Sequence, residues 1–253
     1  MSQAARVDAV LVAGGKYHDI DFARLELLKL LAEHPQLRVT VCSDYGDGEA
    51  LSRSRFLVTY TCDLRPSEAQ QEMLARFVRE GGRWLALHGT NAALDFTAQG
   101  VAAPRCFPTL AHVLGSQFVA HPPIQRYRVN VCAPDHALVA GIAAFDTDDE
   151  LYLSEYHERD QLVALLDTHY SGSAAGFVES DWSGADRHLV SYLRPLGRGA
   201  VLYNTLGHCR GHYDMRPVMD WYPRVERCSW ERPQYLELLR RGIRWALGEL
   251  GAP

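Results

Sequence analysis

The first third of the chain alternates short apolar runs with stretches of helical spacing, and this alternation constrains the fold more than any other feature. Val7 to Ala13 reads as a strand buried on both faces and stops at Gly14-Gly15. Asp19 or Asp21 then caps a helix in which Leu25, Leu28 and Leu31 recur until Pro35 ends it. Leu37 to Cys42 and Arg55 to Tyr60 are the next strands, separated by the turn-rich Asp44-Tyr45-Gly46-Asp47-Gly48. Pro66-Ser67-Glu68 opens a second helix with Met73, Leu74, Phe77 and Val78 on one face, and Gly81-Gly82 closes it. Trp84 to Leu87 follows as a fourth strand and runs into His88-Gly89. Strands joined in this way by helices are parallel, and helices cover both faces of their sheet. In such a sheet the ligand crevice opens at the carboxyl ends of the strands, where His18 and His88 both fall.

A strand that ends on a reactive side chain in a tight glycine turn has the form of a nucleophile elbow. Here the elbow position holds the imidazole of His88. No thiol or hydroxyl stands there to attack, so acid–base, electrostatic or metal chemistry remains.

The middle of the chain is less regular. Cys106 to Leu114 has the spacing of a helix closed by Gly115, and Gln117 to Pro123 is extended because residues before proline avoid the helical region. Gln125 to Cys132 alternates like a strand, and Asp149-Glu150-Leu151-Tyr152 leads into a strand through Tyr156. Leu162 to Asp167, Leu189 to Leu193 and Ala200 to Leu206 are further strands. The last of these runs to Gly207-His208 and repeats the strand–Gly–His arrangement. Residues 209–233 form a long loop with Tyr213, Trp221, Tyr222 and Trp230, and ordered loops of this length are mostly functional. Pro233 opens a last helix with Leu236, Leu239, Ile243 and Leu247 as its buried stripe. No repeat or linker divides residues 1–253, which reads as one domain with a large core.

Bulk properties narrow the partners. A net charge of −5 gives a phosphate backbone no general attraction, so nucleic acid is not expected. No apolar run approaches the roughly 18 residues of a membrane span. Met1 to Arg6 leads into the first strand without the apolar core of a signal peptide, which points to the cytoplasm. The six cysteines form no CxxC pair and read as free thiols, mostly incidental. Gly14-Gly15 is followed by Lys16-Tyr17-His18-Asp19, so the dinucleotide fingerprint GxGxxG is not met. A small molecule is the expected ligand, and a homo-oligomer is left open.

Histidines at strand ends carry the chemistry that remains. His88 and His208 are read as proton-moving or carbonyl-polarising groups, with Glu150 orienting a histidine or taking a proton itself. Each has a plainer reading: a histidine capping a turn, or Asp149-Glu150 accepting backbone hydrogen bonds. His18 lies near a helix start, and His121 is held before two prolines. A subset of His18, His88, His121 and His208 is also the set that would hold a divalent metal such as zinc. No HxxxH or HxH spacing supports a metal, so the ligands would have to converge through the fold.

Gly14-Gly15 with His18-Asp19, Gly81-Gly82, Leu87-His88, Gly115, Phe118 and His121-Pro122-Pro123 occur in that order. Asp135-His136, Asp149-Glu150-Leu151-Tyr152, Leu206-Gly207-His208 and Gly242-Ile243-Arg244-Trp245-Ala246 complete the series. With these motifs the chain resembles the trehalose-utilisation (ThuA-like) family of the class I glutamine-amidotransferase-like superfamily, over about residues 7–249. The resemblance implies an α/β fold, a flavodoxin-like three-layer α/β/α sandwich with a mostly parallel central sheet. It also implies a link to disaccharide or keto-sugar metabolism. Relatives that hydrolyse glutamine need a cysteine at the elbow, so His88 makes this chain no glutaminase. The expected function is an enzyme acting on a sugar or keto-sugar as an isomerase, lyase or hydrolase. The alternative is a non-catalytic carbohydrate-binding or accessory subunit. On either reading His18, Asn91, Asp95, His121, Tyr152 and Trp221 are the candidates for holding the sugar. Asn91 and Asp95 can equally be the cap and first turn of a helix, and Trp221, Tyr222 and Trp230 core or oligomer contacts.

Overall fold

The computed structural model describes residues 6–184 and 186–251. Its first elements are β1 (Val7–Gly15), α1 (Ile20–Leu31), β2 (Leu37–Cys42), α2 (Gly48–Arg53), β3 (Phe56–Cys62), α3 (Glu68–Arg79) and β4 (Arg83–Leu87). Asp19 caps α1 by accepting the Phe22 N–H, and Ser67 with Gln70 forms a capping box on α3. Helix α2 escaped the sequence reading, because Asp47 and Gly48 make its start look like the end of a turn.

The chain continues with a short hairpin, β5 (Asp95–Thr97) and β6 (Gly100–Ala102), and then α4 (Pro108–Leu114). Gly115 ends α4 at φ +80°, a left-handed conformation that glycine adopts without steric cost. The second half supplies β7 (Ser116–Ala120), β8 (Gln125–Val131), β9 (Phe145–Asp149), β10 (Leu153–Tyr156), β11 (Val163–His169), β12 (Arg187–Leu196) and β13 (Gly199–Asn204). Helix α5 (Pro233–Leu247) is the last element.

Nine strands form one sheet in the order β2-β1-β3-β4-β13-β12-β11-β8-β9. The first five run parallel, and from β13 to β9 each strand is antiparallel to its neighbour. Since β12 and β8 alone are reversed, seven of the nine strands share a direction, and the sheet is mostly parallel. Alternate residues face opposite ways. Leu11, Phe56, Val58 and Leu85 pack against α1 and α5, whereas Val10, Val12, Leu57, Trp84 and Val201 pack against α2, α3 and α4. No helix among the described residues is long and apolar enough to cross a membrane.

Two differences from the sequence reading bear on the site. Strand β9 was not expected, because Phe-Asp-Thr-Asp-Asp looks like an acidic turn; its Phe145, Thr147 and Asp149 are buried while Asp148 is exposed. Strand β13 ends at Asn204 rather than Leu206, so His208 stands on a loop beyond the strand end. His18, His88, Glu150 and His208 follow the carboxyl ends of β1, β4, β9 and β13, four strands that point the same way.

Candidate metal centre

His88 occupies the turn that begins directly after β4, at φ +44°. A non-glycine residue in this region stores roughly 1–3 kcal/mol of strain, which the surrounding structure must hold. Gly89 is required beside it: a Cβ there would lie 2.5 Å from the Thr61 carbonyl oxygen. His88 is fully buried, and its Nδ1 lies 2.7 Å from the Thr205 carbonyl. A carbonyl only accepts, so Nδ1 carries the proton and Nε2 keeps its lone pair.

The other two imidazoles are fixed by the same logic. His18 Nδ1 lies 3.3 Å from the Lys16 carbonyl, and His208 Nε2 lies 2.9 Å from Glu226 Oε2. Their remaining nitrogens, His18 Nε2 and His208 Nδ1, turn inward. His18 Nε2 is 2.9 Å from His88 Nε2 and 3.1 Å from His208 Nδ1. Glu150 completes the group: Oε1 is 3.1 Å from His208 Nδ1, and Oε2 is 3.5 Å from His88 Nε2. Ligand atoms of all four residues lie within 4.8 Å of one another.

The three inward-facing nitrogens and the carboxylate can share protons or hold a cation. One proton can serve only one of the nitrogen–nitrogen contacts, whereas a divalent cation could accept from every group at once. Burial pushes the His18 imidazole down to about 3, which keeps it neutral and able to donate its lone pair. Burial works against the charge on Glu150 too, but His121 and His208 outweigh it and hold this carboxyl well below its usual range. For His208 burial lowers and the two glutamates raise, and the glutamates prevail.

Glu150 is carried into place by its neighbour. The buried Asp149 carboxylate accepts the N–H groups of Gly207 at 2.9 Å, His208 at 3.1 Å and Ser229 at 3.3 Å. Arg210, on the long loop, bridges the two glutamates: Nη2 is 3.4 Å from Glu150 Oε1 and Nη1 is 3.2 Å from Glu226 Oε2. Sequence reasoning missed Arg210 and Glu226 as parts of the site, whereas its plainer reading of Asp149, a carboxylate accepting backbone hydrogen bonds, is the role seen. Neither Arg210 nor Glu226 carried a signal in the sequence.

His18 and Glu150 of the cluster line a cavity of about 240 Å3, together with the polar Tyr152, His121 and Arg210 and with Tyr17, Phe96, Phe118, Phe177 and Met215. Tyr152 Oη is 3.2 Å from His88 Nε2. His121 lies outside the group of ligand atoms. Its Nδ1–H donates to the Pro122 carbonyl, and its Nε2 faces Glu150 Oε1 at 3.5 Å. Cys62 also lines this cavity, although no cysteine is near His88 in sequence. Burial pushes its thiol far above the ordinary range, so it is not a ready nucleophile. A larger hollow of about 470 Å3 between α2 and α3, lined by Leu51, Arg55, Arg76 and Gly81, contains no histidine and borders the opposite ends of β3 and β4.

Three candidates are not brought to the cavity. Asn91 is fully buried beneath it and donates to Ser116 Oγ at 2.8 Å. Asp95 is exposed on β5 and pairs with Arg65 at 2.8 Å. Trp221 is 52 % exposed and stacks on His212 at 4.0 Å, held away from the cavity by its own loop. Trp230 is core, its indole N–H bonded to the Gly207 carbonyl.

A family model described as ThuA, trehalose utilisation, matches residues 9–223. A ThuA-like protein from Bacteroides uniformis has a TM-score of 0.67 at 16 % identity, covering 99 % of this chain and 95 % of its own. One from Parabacteroides merdae scores 0.62 at 14 % identity, covering 98 % and 92 %. A beta-galactosidase from Bacillus circulans scores 0.54 at 12 % identity and covers 96 % of this chain, but this chain spans only 31 % of it. At these identities the likeness is one of fold alone. No curated protein sequence matches this chain.

Proposed function

The chain belongs to the ThuA trehalose-utilisation family, and we propose that it is an enzyme acting on a sugar or keto-sugar at a divalent-cation centre held by His18, His88, Glu150 and His208. The observation that carries this reading is the convergence of three imidazoles and one carboxylate, of which His18 and Glu150 line a small cavity. The sugar rests on the family's description. Helices on both sheet faces support a flavodoxin-like α/β/α sandwich, taken here as one domain.

A bound cation would polarise a carbonyl or hydroxyl oxygen of the substrate. The chain's own groups do the rest. With their outer nitrogens engaged, His88 and His208 serve as ligands rather than as the proton movers expected from sequence. Proton transfer falls to the two groups at the cavity edge. His121 keeps a lone pair on Nε2, because Nδ1–H is bound to the Pro122 carbonyl. Tyr152 presents a hydroxyl beside the cluster. Phe118 and Phe177 supply faces against which the C–H side of a sugar ring packs while water is excluded. Isomerisation or elimination next to a carbonyl needs this combination of one base, one acid and a polarised oxygen.

Metal analysis of protein purified without a histidine tag tests the centre. The expected content approaches one divalent ion per chain, and less than about 0.1 per chain after offering the metals in turn would overturn it. Turnover of keto-glycosides by the loaded protein, lost in His88→Ala, tests the enzyme reading. Binding without turnover would point to an accessory subunit instead.

A further inference from the structure

We propose that the centre is built for a six-coordinate first-row cation of the manganese-to-nickel class, with two adjacent open positions that take a neighbouring pair of substrate oxygens. This rests on the metal-centre reading above and extends it to coordination number and substrate class.

Ligand count comes first. Four protein ligands close a tetrahedral zinc site, which is the structural form, whereas catalytic zinc keeps a free position by using three. Four ligands on an octahedral ion leave two positions free. Spacing leaves room for an ion among them: His18 Nε2 lies 2.9 Å from His88 Nε2 and 3.1 Å from His208 Nδ1, and the Glu150 oxygens lie 3.1 Å, 3.5 Å and 3.8 Å from His208, His88 and His18.

Placement then makes the free positions adjacent. His88 and His208 are fully buried behind the centre, while His18 and Glu150 line the cavity. Protein fills one side and the cavity lies on the other, so both vacancies open into the same space. Two side-by-side positions suit oxygens on neighbouring carbons, as in an α-hydroxyketone or a vicinal diol. Tyr152 Oη, 3.2 Å from His88 Nε2, stands beside them as a donor to one oxygen. The cavity's 240 Å3 falls below the roughly 300 Å3 at which drug-sized sites begin. One sugar ring, or a three- to six-carbon hydroxyketone, therefore suits it better than an intact disaccharide.

Cobalt(II) added to chelator-stripped whole protein tests this through its visible spectrum, without any turnover. The expected result is the weak absorption of a six-coordinate ion. Hydroxyacetone should shift it at a concentration at least about tenfold below that at which acetone, with one oxygen, does so. An intense four-coordinate spectrum, or one that responds no better to hydroxyacetone than to acetone, overturns the inference while leaving a metal centre in place. Failure to take up cobalt overturns the centre itself. Tyr152→Phe should keep cobalt binding and weaken the hydroxyacetone response; an unchanged response removes Tyr152 from the account.

Discussion

Glu226 touches no ligand atom that faces inward, yet it decides which nitrogen of His208 carries the proton. Its Oε2 accepts from His208 Nε2 at 2.9 Å, and its Oε1 accepts from the Tyr222 hydroxyl at 2.8 Å. Without that acceptor the ring is free to hold its proton on Nδ1, the nitrogen needed for the cation. Glu226→Ala should therefore weaken cobalt or manganese binding by about 10–100-fold, the usual range for losing such a partner. Glu226→Gln keeps an acceptor oxygen and should fall well short of that loss. Chelator competition measures both, and equal affinities in Ala and wild type would remove Glu226 from the site. Nothing in the sequence marked this residue. It lies 18 positions from His208 and arrives only because the loop doubles back, with Arg210 and Glu226 exchanging backbone hydrogen bonds.

Whole elements were easier to read than their ends. The apolar runs of β1, β3 and β4 are buried on both faces, and a run of that kind leaves few alternatives in a soluble chain. Helices α1, α3 and α5 were placed by their punctuation and apolar spacing, but the stripe read for α1 lay to one side of the true one: Leu25 is exposed, and Ala23, Leu27, Leu30 and Leu31 face the core. Where polar side chains point inward the reading failed: β9 buries Thr147 and Asp149. Asp149 is also the joint between elements, since its carboxylate gathers N–H groups from the loop after β13 and from residue 229. Hydrogen bonds to a charged group contribute about 1.5–3 kcal/mol each. Asp149→Ala should cost at least about 3 kcal/mol in urea unfolding, and Asp149→Asn, with one acceptor oxygen left, clearly less. A wild-type midpoint for Asp149→Ala would refute this. A second joint lies between β11 and β12, where Arg187 Nε meets Asp167 Oδ2 at 2.6 Å. Burial pushes the Asp167 carboxyl up, but Arg187, Cys132 and Asn130 outweigh it and hold its pKa below the ordinary value. A depressed folded-state pKa adds stability above the unfolded value of about 3.9, and the addition is lost as pH falls through the folded value. The stability gap between wild type and Arg187→Gln should thus be full at pH 6 and shrink progressively below about pH 4. A gap that stays constant down to pH 2 would mean that the pair contributes through packing alone.

At the scale of the molecule, the centre joins parts of the chain that nothing else ties together covalently. His18 and His208 are 190 residues apart, and all six cysteines are free thiols. That distance is why the site was legible only as a list of scattered imidazoles: the ends of β1 and β4 could be placed from their own sequence, but convergence depends on the order of β1, β4 and β13 within the sheet. A ligand that binds the folded chain and not the unfolded one stabilises it by mass action, by about 2.7 kcal/mol at a hundredfold excess over Kd. For a chain of this size each kcal/mol raises Tm by about 2–4 °C, so cobalt at that excess should raise Tm by about 5–10 °C over chelator-treated protein. Cobalt suits the experiment better than zinc, because free thiols in the unfolded chain hold zinc tightly and would offset the gain. His88→Ala removes one of the four proposed ligands from the buried side of the centre. Its Tm will start lower, since the strained turn after β4 loses its hydrogen bond to Thr205, but the cobalt-dependent increment should disappear. Calorimetry on both proteins, with and without cobalt, separates those two effects. If the increment survives in His88→Ala, the cation binds elsewhere and the four-residue centre is not what holds it.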